Sequence, residues 1–402
     1  MDYSTLKVAY FAGTMKPGHD GVTRVLYKLI EALNANGIKN IFFSPIIPPE
    51  KEQPTKMYEI PSLTFPVYKD YRFPVAGHKS FEDKLEEFKP DILHINSPCP
   101  LGYAAVKYGL RHNIPVVATY HTHFASYAKY YKVKALESVS WSYFKVIYNN
   151  CETVYVPSKP ILEELNNHGL YNLQYLPHGV DTNIFNPVFY SEEWKSRNNL
   201  QGKTILLFVG RLVWEKDLNT LSMAYRILKG KRDDVALVIV GDGPIKNELK
   251  EYMPDAIFLG QLSGSDLSTA YASSDIFVFP STTETFGNVT IEAMASGIPP
   301  TCAKEGGAYG IIDDGVTGLI TTPRDPIDLA NKIEYLVNSP AKRKIIAANA
   351  LAFAKEQSWE KIFIKLFLSY QEVLHNYLIK KNYKKNVSNR RRSHHSKMNL
   401  NV

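Results

Sequence analysis

The stretch TILLFVGRLVWEKDLNTLSMAYRILKGKRDDVALVIVGDGP, residues 204–244, sets two apolar runs on either side of a helical pattern. TILLFVG (204–210) and VALVIVG (235–241) are short and almost continuously apolar, as strands buried on both faces must be. Each closes on a glycine, and LNTLSMAYRIL between them repeats apolar residues at helical spacing. A strand, a helix and a second strand in this order predict a parallel pair with a crossover helix.

The same alternation extends in both directions. Downstream come AIFLG (256–260) and DIFVF (275–279). Upstream lie KVAYF (7–11), IFFS (41–44), DILHI (91–95), PVVAT (115–119), TVYV (153–156) and LQYL (173–176). The clearest helix among these carries Val22, Val25, Leu26, Leu29, Ile30 and Leu33 on one face and stops at Gly37. NPVFYSEEWKSRNNLQGK (186–203) interrupts the rhythm with a polar, weakly periodic segment. The sequence therefore predicts an α/β protein with two Rossmann-like domains, 1–186 and 187–356, each with a parallel sheet. A long amphipathic helix over 357–379 is expected to pack back on the first domain, with a basic, unstructured tail over 380–402.

The chain has 402 residues and a net charge of +7. From Lys380 onward there are eight Lys/Arg and no acid; the remaining 39 Lys/Arg stand against 40 Asp/Glu. The body is close to neutral, and the basic character belongs to a segment suited to anionic lipid or RNA, or to no partner at all. No run of eighteen apolar residues is present, and the first residues lack the features of a signal peptide. Cys99, Cys151 and Cys302 are scattered without metal or disulfide spacing, which fits a reducing cytoplasm.

Ligands of an open α/β sheet sit beyond the carboxyl ends of its strands, where helix N-termini aim their free N–H groups. The distinctive residues fall at such places. GTMKPGHDGVTRV (13–25) follows the first strand, and Gly18 and Gly21 let a ligand approach the backbone. The spacing is not that of the dinucleotide fingerprint, so nicotinamide binding gains no support. Past the strand at 204–210, Arg211 and Lys216 can clamp a diphosphate, the first through its planar fork and the second as a point charge.

ETFGNVTIE (284–292) places two carboxylates eight residues apart around a turn, a spacing that does not share one helical face. The helix is expected from about Val289 to Ser296, with Asn288 as its N-cap. Gly287, Asn288 and Val289 can then offer backbone N–H groups to phosphate or sugar oxygens, while Glu284 and Glu292 accept from hydroxyls on two parts of one ligand. A glycosidase acid/base pair needs two acids facing one bond, and the adjacent cations argue against it. His121 stands at another strand end. With His123 and His94 it raises a metal site, but no carboxylate cluster joins them.

Taken together, GRLVWEKDL, GDGP, FVFPSTTETFGNVTIEAMASGIP and DDGVTGLI resemble the retaining glycosyltransferases of family GT4 with the GT-B fold. YHTHFASYAKYY and PHGVDTNIFNP look most like the branch of lipid-directed mannosyltransferases and sulfoquinovosyl-type transferases. The resemblance implies two sheets facing a central cleft and transfer of a hexose, mannose foremost, from a nucleoside-diphosphate sugar to a lipid or glycan hydroxyl. It implies that Glu284 contacts the donor sugar and Glu292 the ribose, with Phe286, Gly287, Asn288 and Val289 around sugar and diphosphate. Arg211 and Lys216 become the diphosphate clamp, His121 the active-site histidine and Gly21 the N-terminal glycine loop. No metal or other cofactor is expected, and no specific nucleic acid. A sugar-nucleotide epimerase on the same fold and a non-catalytic nucleotide-sugar or polyanion binder are the alternatives. Residues 127–148 mix aromatics with lysines, which suits either an anionic membrane surface, for a peripheral cytoplasmic protein, or ordinary core packing.

Overall fold

The structure is a computed structural model and describes residues 3, 5–18, 21–65, 68–74, 79–121 and 134–398. The first half carries strands β1 (Lys7–Phe11), β2 (Lys39–Ser44), β3 (Lys56–Glu59), β4 (Ser62–Phe65), β5 (Tyr68–Pro74), β6 (Ile92–Ile95), β7 (Val116–Thr119), β8 (Thr153–Val156) and β9 (Leu173–Tyr175). The second carries β10 (Thr204–Val209), β11 (Val235–Val240), β12 (Ile257–Gly260), β13 (Ile276–Phe279), β14 (Pro300–Ala303) and β15 (Leu319–Thr321). A seven-stranded sheet is ordered β3-β2-β1-β6-β7-β8-β9 and a six-stranded sheet β12-β11-β10-β13-β14-β15. Every pairing within these two sheets is parallel, whereas β4 and β5 form a separate antiparallel pair.

Both orders reverse direction once, between β1 and β6 in the first sheet and between β10 and β13 in the second. At a reversal the following helices lie on opposite faces, and a crevice opens beyond the strand ends. The fold therefore places the loops after β1, β6, β10 and β13 where a ligand can enter.

One core surrounds the second sheet, and two cover the faces of the first. One of those two is completed from the far end of the chain, by Phe363, Leu366, Phe367, Tyr370 and Val373 packed with Tyr10 and Phe42. These residues belong to the helix Trp359–Met398, which returns to the first sheet after the chain has built the second. Full burial of each such side chain is worth about 1.5–3 kcal/mol, so the return is firmly held. At the crossing Val180 N donates to Gln357 O at 2.8 Å. The helix also continues through the basic stretch as far as Met398 instead of dissolving at Lys380. Residues 359–398 contain no glycine or proline, and lysine and arginine are good helix formers; low hydrophobicity argued against a packed core there, not against a helix.

In the helix Lys134–Tyr148, Trp141, Phe144, Ile147 and Tyr148 are buried in the first core, whereas Val139, Tyr143 and Val146 face outward. Residues 127–133 lie outside the described residues. No described helix is long and apolar enough to cross a membrane.

Candidate active site

The loop after β13 carries Glu284 and is tied to the loop after β10. Thr283 Oγ1 donates to Glu215 O at 3.2 Å, and Lys216 Nζ pairs with Glu284 Oε1. Ser281 Oγ donates to the same carboxylate oxygen at 3.1 Å. Lys216 closes a short 3-10 turn, Trp214–Lys216, and Asp217 beside it adopts φ 54°. The reversal of the strand order makes this meeting possible, since β10 and β13 are sequence-distant neighbours.

The helix after this loop spans Asn288–Ala295. Asn288 was expected at the N-cap, but Gly287 takes that position with φ 83°. An added Cβ there would meet Ala308 Cβ at 2.8 Å, so both conformation and space demand glycine. The Asn288 side chain is released from capping and accepts from His178 Nδ1 at 2.8 Å. Glu292, one turn further on, is buried. Tyr271 OH donates to its Oε2 at 2.9 Å, and Arg24 Nη1 approaches Oε1 at 3.8 Å. Burial raises its pKa above the ordinary carboxylate value, and Arg24 and Tyr271 oppose that rise.

A cavity of about 820 Å³ opens between the two sheets. It brings together Gly18, Gly21, Arg211, Asn288, Val289 and Glu292, contributed by both halves. The approach of the halves is close: a Cβ on Gly21 would lie 3.4 Å from Asn288 Nδ2. His121, Lys216, Glu284, Phe286 and Gly287 are not among the cavity's lining residues. Phe286 is buried and packs against His178 with ring centroids 4.9 Å apart. His121 and Glu284 are nonetheless linked, because Thr285 Oγ1 donates to His121 O at 2.8 Å. Ser158 Oγ in turn donates to Thr285 O at 2.7 Å.

The expected residues thus form two connected groups, one along the cavity and one around Glu284. His94 belongs to neither. Its ring nitrogens lie 2.5 Å from Tyr370 Oη and 2.7 Å from Thr119 Oγ1, so it locks the C-terminal helix to the first sheet. His123 lies outside the described residues, and among those residues no group of three or more His, Cys, Asp or Glu could hold a metal ion. Sequence reasoning missed His178, Asn96, Tyr271 and Arg24. PHGVD (177–181) was visible as a motif, but the partner of His178 lies 110 residues away.

Burial of the histidines gives the fold a pH dependence. His94 is pushed down to about 3 and His178 to about 4, chiefly by desolvation. His121 is held well below its ordinary value for the same reason, reinforced by the two neighbouring histidines. All three protonate near 6.5 once unfolded, so below that pH the unfolded chain binds more protons. Stability is complete above about 6.5 and is lost as pH falls toward about 4, by up to about 1.4 kcal/mol per pH unit for each histidine. Glu292 and Asp217 have raised pKa values and act in the opposite sense, as two acids against three bases. The melting temperature should therefore fall steeply between pH 6 and 5 in a calorimetric series; a flat profile there contradicts neutral burial.

Comparison with known proteins agrees with this architecture. Residues 19–184 match the Glycosyltransferase Family 4 model, and residues 191–353 match Glycosyl transferases group 1. The chain is 33% identical over 379 residues to a GDP-mannose-dependent alpha-mannosyltransferase of Corynebacterium glutamicum, covering 92% of this chain and 89% of that one. It is 33% identical over 316 residues to the sulfoquinovosyl transferase SQD2 of Arabidopsis thaliana, covering 76% of this chain and 61% of that one. Among solved structures, sucrose-phosphate synthase from Thermosynechococcus elongatus superposes with a TM-score of 0.76 at 21% identity, over 92% of this chain and all (100%) of that one. HepE of Anabaena in complex with UDP superposes with a TM-score of 0.75 at 18% identity, over 91% of this chain and 100% of that one. At those identities the superpositions bear on fold alone. The chain therefore belongs to the family 4, group 1 glycosyltransferases and is a glycosyl-transferring enzyme of the GT-B fold.

Proposed function

We propose that the enzyme transfers a hexose, mannose foremost, from a nucleoside-diphosphate sugar to a hydroxyl of a lipid or glycan, with retention at the anomeric carbon. The observation that carries this reading is the cavity shared by Gly21, Arg211, Asn288, Val289 and Glu292. It offers a cation and a helix N-terminus for phosphates and a buried carboxylate for ribose hydroxyls. Three relatives at 30–33% identity are named GDP-mannose-dependent alpha-mannosyltransferases, which favours mannose. An alpha-monoglucosyldiacylglycerol synthase of Streptococcus pneumoniae, 26% identical, favours a lipid acceptor.

In this reading residues 1–186 form the acceptor-side domain, 187–356 bind the donor, and 357–379 join the first domain again. The basic stretch 380–402 and the outward face of 134–148 suit peripheral attachment to an anionic membrane on the cytoplasmic side. Arg211, Lys216 and the N–H groups at Gly287–Val289 stabilise the departing diphosphate. Glu284 orients the sugar, His121 lies beside it, and the leaving phosphate oxygen takes the acceptor proton on the face from which it departs.

Because side-chain cations neutralise the diphosphate, turnover should be unchanged by EDTA. The test follows sugar release from GDP-mannose and UDP-hexoses with and without a lipid acceptor. Acceptor-dependent, EDTA-insensitive consumption is expected. Rapid donor conversion without acceptor points to an epimerase, and activity lost to EDTA and restored by Mn²⁺ overturns the metal-free mechanism.

A further inference from the structure

Three polar atoms where the two sheets meet are buried and have no hydrogen-bond partner: Asn96 Nδ2, His121 Nδ1 and His178 Nε2. Their residues retain only 5%, 8% and 7% of their exposure. Asn96 follows β6, His121 follows β7, and His178 lies in the segment leading away from β9. They are nevertheless neighbours. His121 Nε2 is 3.2 Å from Asn96 Oδ1, and the rings of His121 and His178 have centroids 5.8 Å apart. Buried polar atoms are almost always matched, so three unmatched ones side by side point to a ligand.

Their chemistry says which kind. Asn96 Oδ1 only accepts, so His121 carries its proton on Nε2 and leaves Nδ1 bare. Asn288 Oδ1 likewise accepts a hydrogen bond from His178 Nδ1–H, which leaves His178 Nε2 bare. The cluster offers two acceptors and one amide donor. A phosphate brings acceptors only and would face two imidazole lone pairs. A hydroxyl both donates and accepts, and two neighbouring hydroxyls match all three atoms. Burial keeps both imidazoles neutral, in agreement with that choice.

The position is also informative. His178 adjoins Gly179 and bonds Asn288, both of which line the cavity. His121 is held by Thr285, next to Glu284. The cluster therefore connects the cavity to the loop proposed to orient the sugar.

We infer that Asn96 and His178, with His121, read the hydroxyls of the sugar being transferred and so determine which sugar configuration the enzyme accepts. This rests on the nucleotide-sugar reading above. Each has a second task, since His178 also fixes the Asn288 amide and Asn96 the His121 ring, so the two variants disturb different neighbours and are complementary.

The test compares GDP-mannose and UDP-glucose with their single deoxy analogues, using the native enzyme, Asn96→Ala and His178→Asn. For the native enzyme, loss of one or two particular hydroxyls should lower kcat/KM about 10²-fold, as a site built to hydrogen-bond rejects an analogue that cannot. In both variants that penalty should shrink to about threefold or less, while penalties at the other positions persist. Equal losses with every donor, or unchanged penalties throughout, overturn the assignment and leave the cluster a structural role. If Asn96→Ala does not fold, the isosteric Asn96→Asp removes the same amide donor and is read in the same way. A native enzyme whose melting temperature no nucleotide sugar shifts overturns the donor reading itself, a distinct failure that takes this assignment with it.

Discussion

Lys216→Ala is expected to lower kcat about 10²–10³-fold, the usual consequence of losing one preorganised group that stabilises a developing charge. Lys216 is held by Glu284, which fixes its place in the turn after β10. Removing the lysine also leaves a part-buried carboxylate whose remaining side-chain partner among the described residues is Ser281. That costs about 1–3 kcal/mol of stability and shifts the melting temperature. The double variant Lys216→Met/Glu284→Gln removes both charges and should recover most of the stability while the rate stays low. A near-normal rate for Lys216→Ala, measured at saturating donor, removes the residue from the reaction. Recovery of rate together with stability would assign the pair to packing.

Gly307→Val should be strongly destabilising. Gly307 N donates to Glu284 O at 2.6 Å. A Cβ at this position would stand 1.9 Å from Thr285 O and 2.7 Å from Ser158 Oγ. The first of these is backbone, so nothing nearby can rotate away, and the loop bearing Glu284 and Thr285 must move. Overpacking of this kind costs about 1–3 kcal/mol, occasionally more, and for a domain of about 150–250 residues each kcal/mol lowers the melting temperature by about 2–4 °C. Activity should fall further than stability, because the displaced loop also holds the backbone of His121. Gly230→Ala serves as the control: its nearest neighbour would be 3.5 Å away and its φ is −66°, so no change is expected. Equal effects of the two substitutions in a melting experiment contradict the steric argument.

The central strands could be read in the sequence because they are buried on both faces. TILLFV, VALVIV and IFVF are continuous β-branched, aromatic and leucine runs with few competing readings. PTCA and LIT, which form β14 and β15, were not read as strands. They are short, and Pro299 and Pro300 are as consistent with the stop of the preceding helix as with the start of a strand. The β4–β5 pair lacked any such continuous run.

The site divided in the same way. Arg211, Glu284 and His121 follow strands, so locating the strand ends located them. His178 and Asn96 acquire meaning only through partners that the fold supplies, across 110 and 25 residues respectively. The capping role expected of Asn288 failed for a related reason. Local sequence favours asparagine at a cap, but the turn demanded a positive φ and the side chain was required elsewhere.

We propose that one nucleotide sugar spans the cavity with its diphosphate at Arg211. This is tested most directly by titration calorimetry of GDP, UDP and their hexose conjugates into the native protein and Arg211→Ala. Saturable one-site binding of at least one nucleotide by the native protein is expected, with affinity lowered about tenfold or more in the variant. Absence of binding by the native protein, or equal affinity in the two, would contradict it.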